Sequence, residues 1–432
     1  MNEKTKVFKN IFFIYNGHMK KPELLLPGGS LEKCEYALKY GADAVYFGTV
    51  DFSLRALRKG EIITDDNMKA CVDLVHSLGG KAYLTLNIYS FNSDIEKLVQ
   101  KMDIIKDANP DGILISDVGV LSVVKKYLPD IDIHISTQAN TLNSEAVKFW
   151  RDFGAKRVVL ARELSIPEIA QIKKDVPDVE LEVFVHGSQC VSFSGRCLLS
   201  DYMTQGERKA NKGGCAQPCR WSYKLLEETR PNEYFEIEQN ERGTHILSPK
   251  DLALINYIPQ LIDAGVDSLK IEGRTKSLYY VSAAARTYRH AIDEYFETGK
   301  QSEQANLEQL AKIGNRGYTT GFYVSKPDSD GYSYDISKGL AGSDFLCMFL
   351  NENRDGMQKV LTKNKFYVGD EIEIISPDEL FTTKVLKVVD FNTEEEKDFS
   401  NTNDTSWIEF ERVPKDTKYA LARTVGIKNE RC

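Results

Sequence analysis

The stretch ELLLPGGSLEKCEYALKYGADAVYFG, residues 23–48, contains one full unit of the fold. Its two ends, ELLLPGG (23–29) and AVYFG (44–48), are short apolar runs of strand length. Between them, SLEKCEYALKYG (30–41) sets apolar residues three and four apart and closes on Gly41, as a helix ending in a left-handed residue does. Two strands that are apolar throughout, joined by a helix, pair in parallel and are covered on their outer face by that helix.

The unit repeats down the chain. Further strand candidates are KAYLTLN (81–87), GILIS (112–116), DIHIST (132–137), RVVLA (157–161), LEVFVHG (181–187) and SLKIEG (268–273). Helix-length segments such as SEAVKFWRDFG (144–154) separate them, and Gly79 and Gly154 close two of these segments. Eight such strands predict an α/β protein, a closed (β/α)8 TIM-like barrel over residues 21–330. An open doubly wound sheet is the alternative, weakened because no glycine fingerprint opens the first helix.

The eighth strand follows the seventh only after about eighty residues, where the other spacings are about 20–35. The excess defines a Cys-rich insertion, 188–247, containing WSYKLLEE and YFEIEQNERGTHILS, which read as antiparallel strands. It leaves the barrel at the end of strand seven, and in such barrels that end is the catalytic face. After the last barrel helix (277–299) and a connector ending near RGYTTGFY (316–323), the pattern changes to alternating strands: NKFYVGDEIEIIS (364–376), FTTKVLKVV (381–389) and WIEFERV (407–413). These predict a small all-β barrel over 338–432, with 390–406 as a mobile polar loop. Residues 1–20 form an N-terminal extension in which Met19 offers another start.

Composition narrows the class. Apolar residues at 42% and charged residues at 28% describe an ordinary globular chain. No apolar run approaches the ~20 residues of a membrane span, and IFFIY (11–15) lacks a cleavage site. A cytoplasmic protein with no membrane association is the expectation, and there thiols stay reduced. A net charge of −8 argues against indiscriminate nucleic-acid binding.

Four of the eight cysteines fall in the insertion: Cys190 and Cys197 with six residues between them, Cys215 after seventeen more, and Cys219 after three. Glycines 187, 195, 213 and 214 let the backbone turn closely around a small object. Unligated cysteines, a zinc site and an iron–sulfur cluster are the readings open. Zinc ligand pairs are usually two to four residues apart, which suits only the second pair. A four-iron cluster spans more space and suits irregular spacing better. No H-E-x-x-H helix or G-x-S-x-G elbow is present, and the peptidase arrangement the residues offer is a His186–Cys190 nucleophile pair.

The segment EVFVHGSQCVSFSGRCLLSDY (182–202) resembles the U32 collagenase-like peptidase family. The resemblance continues through CAQPCRW, SPKDL, SLKIEGRTKSLYYV, RGYTTGFY and KNKFYVGD, covering roughly 21–432. Within that family the chain is similar to the tRNA 5-hydroxyuridine modification proteins, in its barrel and in a C-terminal domain like the β-barrels of translation factors. The resemblance implies a 4Fe–4S cluster on Cys190, Cys197, Cys215 and Cys219. It implies oxygen-independent, prephenate-dependent hydroxylation of the wobble uridine, with a tRNA anticodon stem-loop as partner; related members hydroxylate ribosomal RNA or ubiquinone precursors. The rival functions are a genuine peptidase and a non-catalytic RNA-binding module.

In a barrel, the residues after each strand converge: Arg55, Asn87, Ser116, Asp117, Gln138, Asn140, Arg162, Glu163, His186, Glu272 and Arg274. Arginines clamp carboxylates in two-pronged fashion, which makes Arg162 and Arg274 the candidate clamps for the dicarboxylate; Arg–Glu ion pairs within RELS and IEGR are the bland alternative. Glu163, Glu272 and His186 complete the candidate catalytic set, with His186 either a donor to a cluster sulfur or a structural histidine. Lys270, alternating with Glu272, is expected in an interior ion pair. For RNA the insertion offers Arg196, Arg208, Lys209, Lys212 and Arg220 beside Tyr202, Trp221 and Tyr223, which a solvated basic loop would also display.

Overall fold

The structure is a computed structural model describing residues 20–49, 52–53, 63–190, 192, 197–205, 207–208, 210, 213–221, 239–240, 243–244, 249–325 and 342–426. Strands β1 (Glu23–Pro27), β2 (Ala44–Phe47), β3 (Lys81–Leu86), β4 (Gly112–Ile115), β5 (Asp132–Ile135), β6 (Ala155–Val159) and β7 (Glu180–Gly187) pair in parallel, each with the next. The barrel closes on β11 (Ser268–Ile271), which pairs in parallel with both β7 and β1. The expected closed eight-stranded barrel is therefore present, and the open sheet is not.

Helices α1 (Leu31–Lys39), α2 (Met68–Ser77), α3 (Asn92–Ala108), α4 (Val118–Tyr127), α5 (Ser144–Asp152) and α6 (Ile166–Asp175) cover the strands. Their starts follow from local chemistry. Ser30, Asp117 and Asn143 each accept a backbone N–H of the first turn, and Ser165 with Glu168 makes a reciprocal cap. The strands are buried on both faces, as a parallel barrel requires.

After β7 come the short helix α7 (Leu199–Met203), a two-residue ladder of β8 (Gln239–Asn240) against β9 (Gly243–Thr244), and a return strand β10 (Asp251–Ala253). The remainder of the two strands expected in WSYKLLEE and YFEIEQNERGTHILS lies outside the described residues. Strand β10 runs antiparallel to the end of β7, Leu252 opposite Gly187 and Ala253 opposite His186, and on its other side pairs with β12 (Tyr318–Thr319). Helix α8 (Ile258–Asp263) then leads into β11, and α9 (Leu278–Thr298) and α10 (Glu303–Ala311) complete the shell. No helix among the described residues is long and apolar enough to cross a membrane.

The C-terminal region holds β13 (Phe345–Arg354), β14 (Met357–Thr362), β15 (Phe366–Tyr367), β16 (Glu371–Ile375), β17 (Leu380–Asp390), β18 (Glu396–Lys397), β19 (Phe399–Ser400), β20 (Thr405–Phe410) and β21 (Leu421–Thr424). Antiparallel pairing runs β16–β21–β13–β14–β20–β17 and closes from β17 to β16, so the expected small β-barrel is complete. The polar stretch 390–406 is not a plain loop. Within it β18 pairs with β17, β19 pairs with β15, and Ser400 bonds Thr362 and Ser406 through buried hydroxyls. These strands were hidden because each is only two residues long, too short to show an alternating pattern.

The two barrels share an interface. Tyr40 Oη donates to the carbonyls of Ile375 and Tyr419 at 2.9 and 2.7 Å. Fully buried Arg423 bonds Glu373, Tyr279 Oη at 3.0 Å and Gln309, and Lys312 reaches Glu373 at 2.9 Å. Met348, Ile375, Tyr419 and Leu421 join the same apolar core as the (β/α)8 strands.

Candidate active site and cysteine segment

The lower barrel interior is filled by charge rather than by aliphatic layers. Arg157, pointing inward from β6, bonds Glu23, Glu180 at 2.7 Å and Glu182 at 3.2 Å. Tyr83 Oη and Ser268 Oγ donate to Glu23 at 2.7 and 3.0 Å. Burial opposes ionisation of Glu23, yet the Arg157 charge and these hydrogen bonds hold its carboxyl below the usual range. Lys270 donates to Glu182 at 2.7 Å, so it makes the expected interior ion pair, with β7 as the source of its partner.

Above this plug the lining turns to hydroxyls and amides. Tyr46 Oη donates to the Ile271 carbonyl at 3.0 Å and lies 3.4 Å from Glu272 Oε2. Arg274, buried, donates to Ser53 Oγ and, at 3.3 Å, to Thr85 Oγ1. Asn87 Nδ2 reaches Ser136 Oγ and Gln138 Oε1 at 3.4 and 3.3 Å, and Ser116 Oγ donates to Gln138 at 3.5 Å. Gly48 is required where it stands: a methyl there would overlap Ser53 Oγ and Thr85 Oγ1. The result is a buried polar floor at the C-terminal ends of the strands, carrying the Arg274 guanidinium.

Several expected mouth residues have other places. Asp117 caps α4 through Val120 N–H at 3.0 Å. Asn140 takes a left-handed φ of 55°, and its Oδ1 is buried with no hydrogen-bond partner among the described residues. Arg162 lies over the Phe184 ring at 3.9 Å and donates to the Ser188 carbonyl at 2.9 Å. Glu163 is half-buried beside it, and Arg55 lies outside the described residues.

His186 does not join the pocket. The β7–β11 register shifts between Lys270 and Ile271, a β-bulge that turns His186 out of the barrel. Its ring packs 5.7, 5.5 and 5.6 Å from those of Tyr280, Tyr288 and Tyr318, and its Nδ1 is buried with no hydrogen-bond partner among the described residues. Burial, with a smaller effect of Lys276, depresses its pKa to about 3. Of the two roles expected for His186, these contacts favour the structural histidine over the donor to a cluster sulfur.

The four cysteines stand on the segment that leaves the end of β7. Burial raises the thiol pKa of both Cys190 and Cys219; Cys197 and Cys215 raise that of Cys190 further, and all three other cysteines raise that of Cys219. Three sulfurs accept the amide two residues on: Ser192 N–H to Cys190 at 3.4 Å, Leu199 N–H to Cys197 at 3.3 Å and Gln217 N–H to Cys215 at 3.3 Å. Such bonds favour sulfur carrying negative charge and fix its direction. Among the described residues, no three or more His, Cys, Asp or Glu side chains gather as ligands of a metal ion.

The segment is knitted from within. Ser200 Oγ donates to the Arg208 carbonyl at 2.7 Å and accepts from Ala216 N–H at 2.9 Å. Arg208 clamps the carbonyls of Gly214 and Cys215, both at 3.1 Å, and Arg220 bonds Gln217 and the Gln189 carbonyl. Both basic side chains therefore make contacts within the segment. Tyr202 is 81% exposed and Trp221 38% exposed, so both rings are open to a partner. Arg196, Lys209, Lys212 and Tyr223 lie outside the described residues. Sequence reasoning passed over Arg316, Asp251, Ser53 and Thr85. Arg316 sat in RGYTTGFY, Asp251 in SPKDL and Thr85 in the strand KAYLTLN, and Ser53 in none of these.

Comparison with known proteins supplies the family. Residues 29–332 match the model of peptidase family U32, and residues 342–423 match the family U32 C-terminal domain. The chain belongs to peptidase family U32. Curated U32-type relatives include a tRNA hydroxylation protein P of Haemophilus influenzae, 37% identical over 87% of this chain and 90% of its own. The protein of the same name from Escherichia coli is 37% identical over 83% of this chain and 87% of its own. A protein named collagenase from Porphyromonas gingivalis is 34% identical over 70% of this chain and 74% of its own.

Proposed function

We propose that this U32 protein is an iron–sulfur tRNA-modifying enzyme that hydroxylates the wobble uridine to 5-hydroxyuridine, without molecular oxygen and with prephenate as co-substrate. Relatives named for tRNA hydroxylation, similar over most of both chains, support the tRNA role. One observation carries the chemistry: four cysteines, three of them with amide-to-sulfur bonds, stand on one segment leaving the C-terminal end of β7.

The donor set fits a cluster. Thiols that raise one another's pKa are poor neighbours once ionised unless a cationic centre lies among them. A four-iron cube spans more space than one ion and suits the irregular spacing of these cysteines along the chain. Cys190, Cys197, Cys215 and Cys219 would hold it, and when bound it supplies one-electron transfer or Lewis-acid activation. Zinc at the same thiols is the alternative occupant.

The chain's own residues divide the remaining work. Arg274, desolvated beneath the mouth, and Arg162, at its rim, suit the carboxylates of a small dianion. The Asn87–Ser136–Gln138–Ser116 network orients polar groups and holds the floor closed to bulk water. Tyr202 and Trp221 present open aromatic faces on which an unpaired base stacks. An anticodon-loop base is already single-stranded and needs little energy to swing into a barrel mouth.

The peptidase reading draws on the relative named collagenase. One observation weighs against a Cys–His pair: His186 packs among tyrosines, away from the mouth. Mass spectrometry of tRNA nucleosides from a strain lacking the gene tests the proposal. Loss of the 5-hydroxyuridine-derived pool, restored by the wild-type gene and not by Cys190→Ser, is expected. An unchanged pool in a strain without a redundant route rejects it.

A further inference from the structure

The cysteine segment springs from Ser188–Gln189, and three arginines from separate parts of the chain hold that root. Arg162 donates to the Ser188 carbonyl at 2.9 Å, Arg316 Nη2 donates to Ser188 Oγ at 3.2 Å, and Arg220 reaches the Gln189 carbonyl at 3.4 Å. Arg316 is itself paired with Asp251, whose carboxylate is almost wholly buried at the start of β10. The neighbouring Lys250 carbonyl accepts from Gln189 Nε2 at 3.2 Å, and Asp251 N–H bonds the Gly317 carbonyl at 2.9 Å beside Arg316.

We propose that Arg316 and Asp251 are positioning residues for the cysteine site, acting through Ser188 to fix where Cys190 is presented; this rests on the cluster reading above. The physical reason lies in the backbone. Strand β7 ends at Gly187, whose φ of 106° turns the chain out of the sheet, so beyond it no barrel ladder restrains the chain. Asp251 belongs to a strand already registered against Gly187, and Arg316 carries that fixed position across to the Ser188 hydroxyl. Arg220, next to Cys219, braces Gln189, next to Cys190, so the anchored root also sets the distance between the first and last thiols. A cluster needs its four sulfurs within tenths of an ångström of their places, and outer supports of this kind set how tightly it is held.

The test uses full-length protein reconstituted anaerobically with iron and sulfide, comparing wild type with Arg316→Lys, Asp251→Asn and Ser188→Ala. Iron per chain, the rate of bleaching by a chelator and the reduction potential are read beside the Tm of each apoprotein. Wild type is expected to keep its iron. The ion-pair variants should lose it about ten- to a hundred-fold faster. Ser188→Ala, which removes one hydroxyl and leaves the ion pair intact, should bleach faster with the apoprotein Tm unmoved, and it keeps the test decisive if the other two fail to fold. Bleaching rates and potentials equal to wild type overturn the inference and leave the cluster reading standing. A wild-type protein that takes up no iron overturns both.

Discussion

Arg157 faces Glu23, Glu180 and Glu182 from inside the barrel, and its removal leaves buried carboxylates without a counter-charge. Arg157→Leu should lower unfolding free energy by about 3–5 kcal/mol in urea titrations at neutral pH. The pH dependence follows with a definite sign. The folded pKa of Glu23 lies below its ordinary 4.5, so its stabilisation is fully present above that value and is lost as pH falls through the folded pKa. The variant should show a shallower loss of stability in that acid range. His186 acts in a second window. Its folded pKa of about 3 lies below the ordinary 6.5, so the unfolded chain takes up a proton first and stability declines as pH falls from 6.5 toward 3. His186→Phe should flatten that part of the profile, and a profile identical to wild type would refute the buried neutral ring.

At the scale of elements, the end of β2 governs the pocket. Gly48→Ala would push Ser53 and Thr85 off Arg274. On the function proposed above, hydroxylation of anticodon stem-loop RNA should fall by about a hundred-fold while the iron content of reconstituted protein stays unchanged. The barrel strands were legible in the sequence because apolar runs such as AVYF and GILI sit between capped helices, and two-sided burial demands that composition. The grouping of four cysteines on one segment was legible because spacing along the chain needs no knowledge of the fold; the group they hold was not. The bulge near His186 was not, since one residue of register slip leaves no mark in composition yet reverses the side a side chain takes. Arg316 stayed hidden for another reason: its partners Asp251 and Ser188 are 65 and 128 residues away, and only β10 brings them together.

Over the whole molecule, the C-terminal barrel is fastened to the (β/α)8 barrel by buried polar contacts and a shared apolar core. Heat should therefore unfold both barrels in one calorimetric transition. Arg423→Leu removes the bonds to Glu373, Tyr279 and Gln309, should cost about 3–5 kcal/mol, and should split that transition into two. A single peak in the variant would mean that the apolar contacts alone couple the barrels.

The latch formed by β10 on the last turn of β7 has a wider consequence. Because the chain is pinned there before β11 begins, the hoop is sealed whatever length of polypeptide is spliced in ahead of the pin. That interval can grow, shrink or exchange its cargo without disturbing the frame, much as a drawer can be refitted without rebuilding the cabinet.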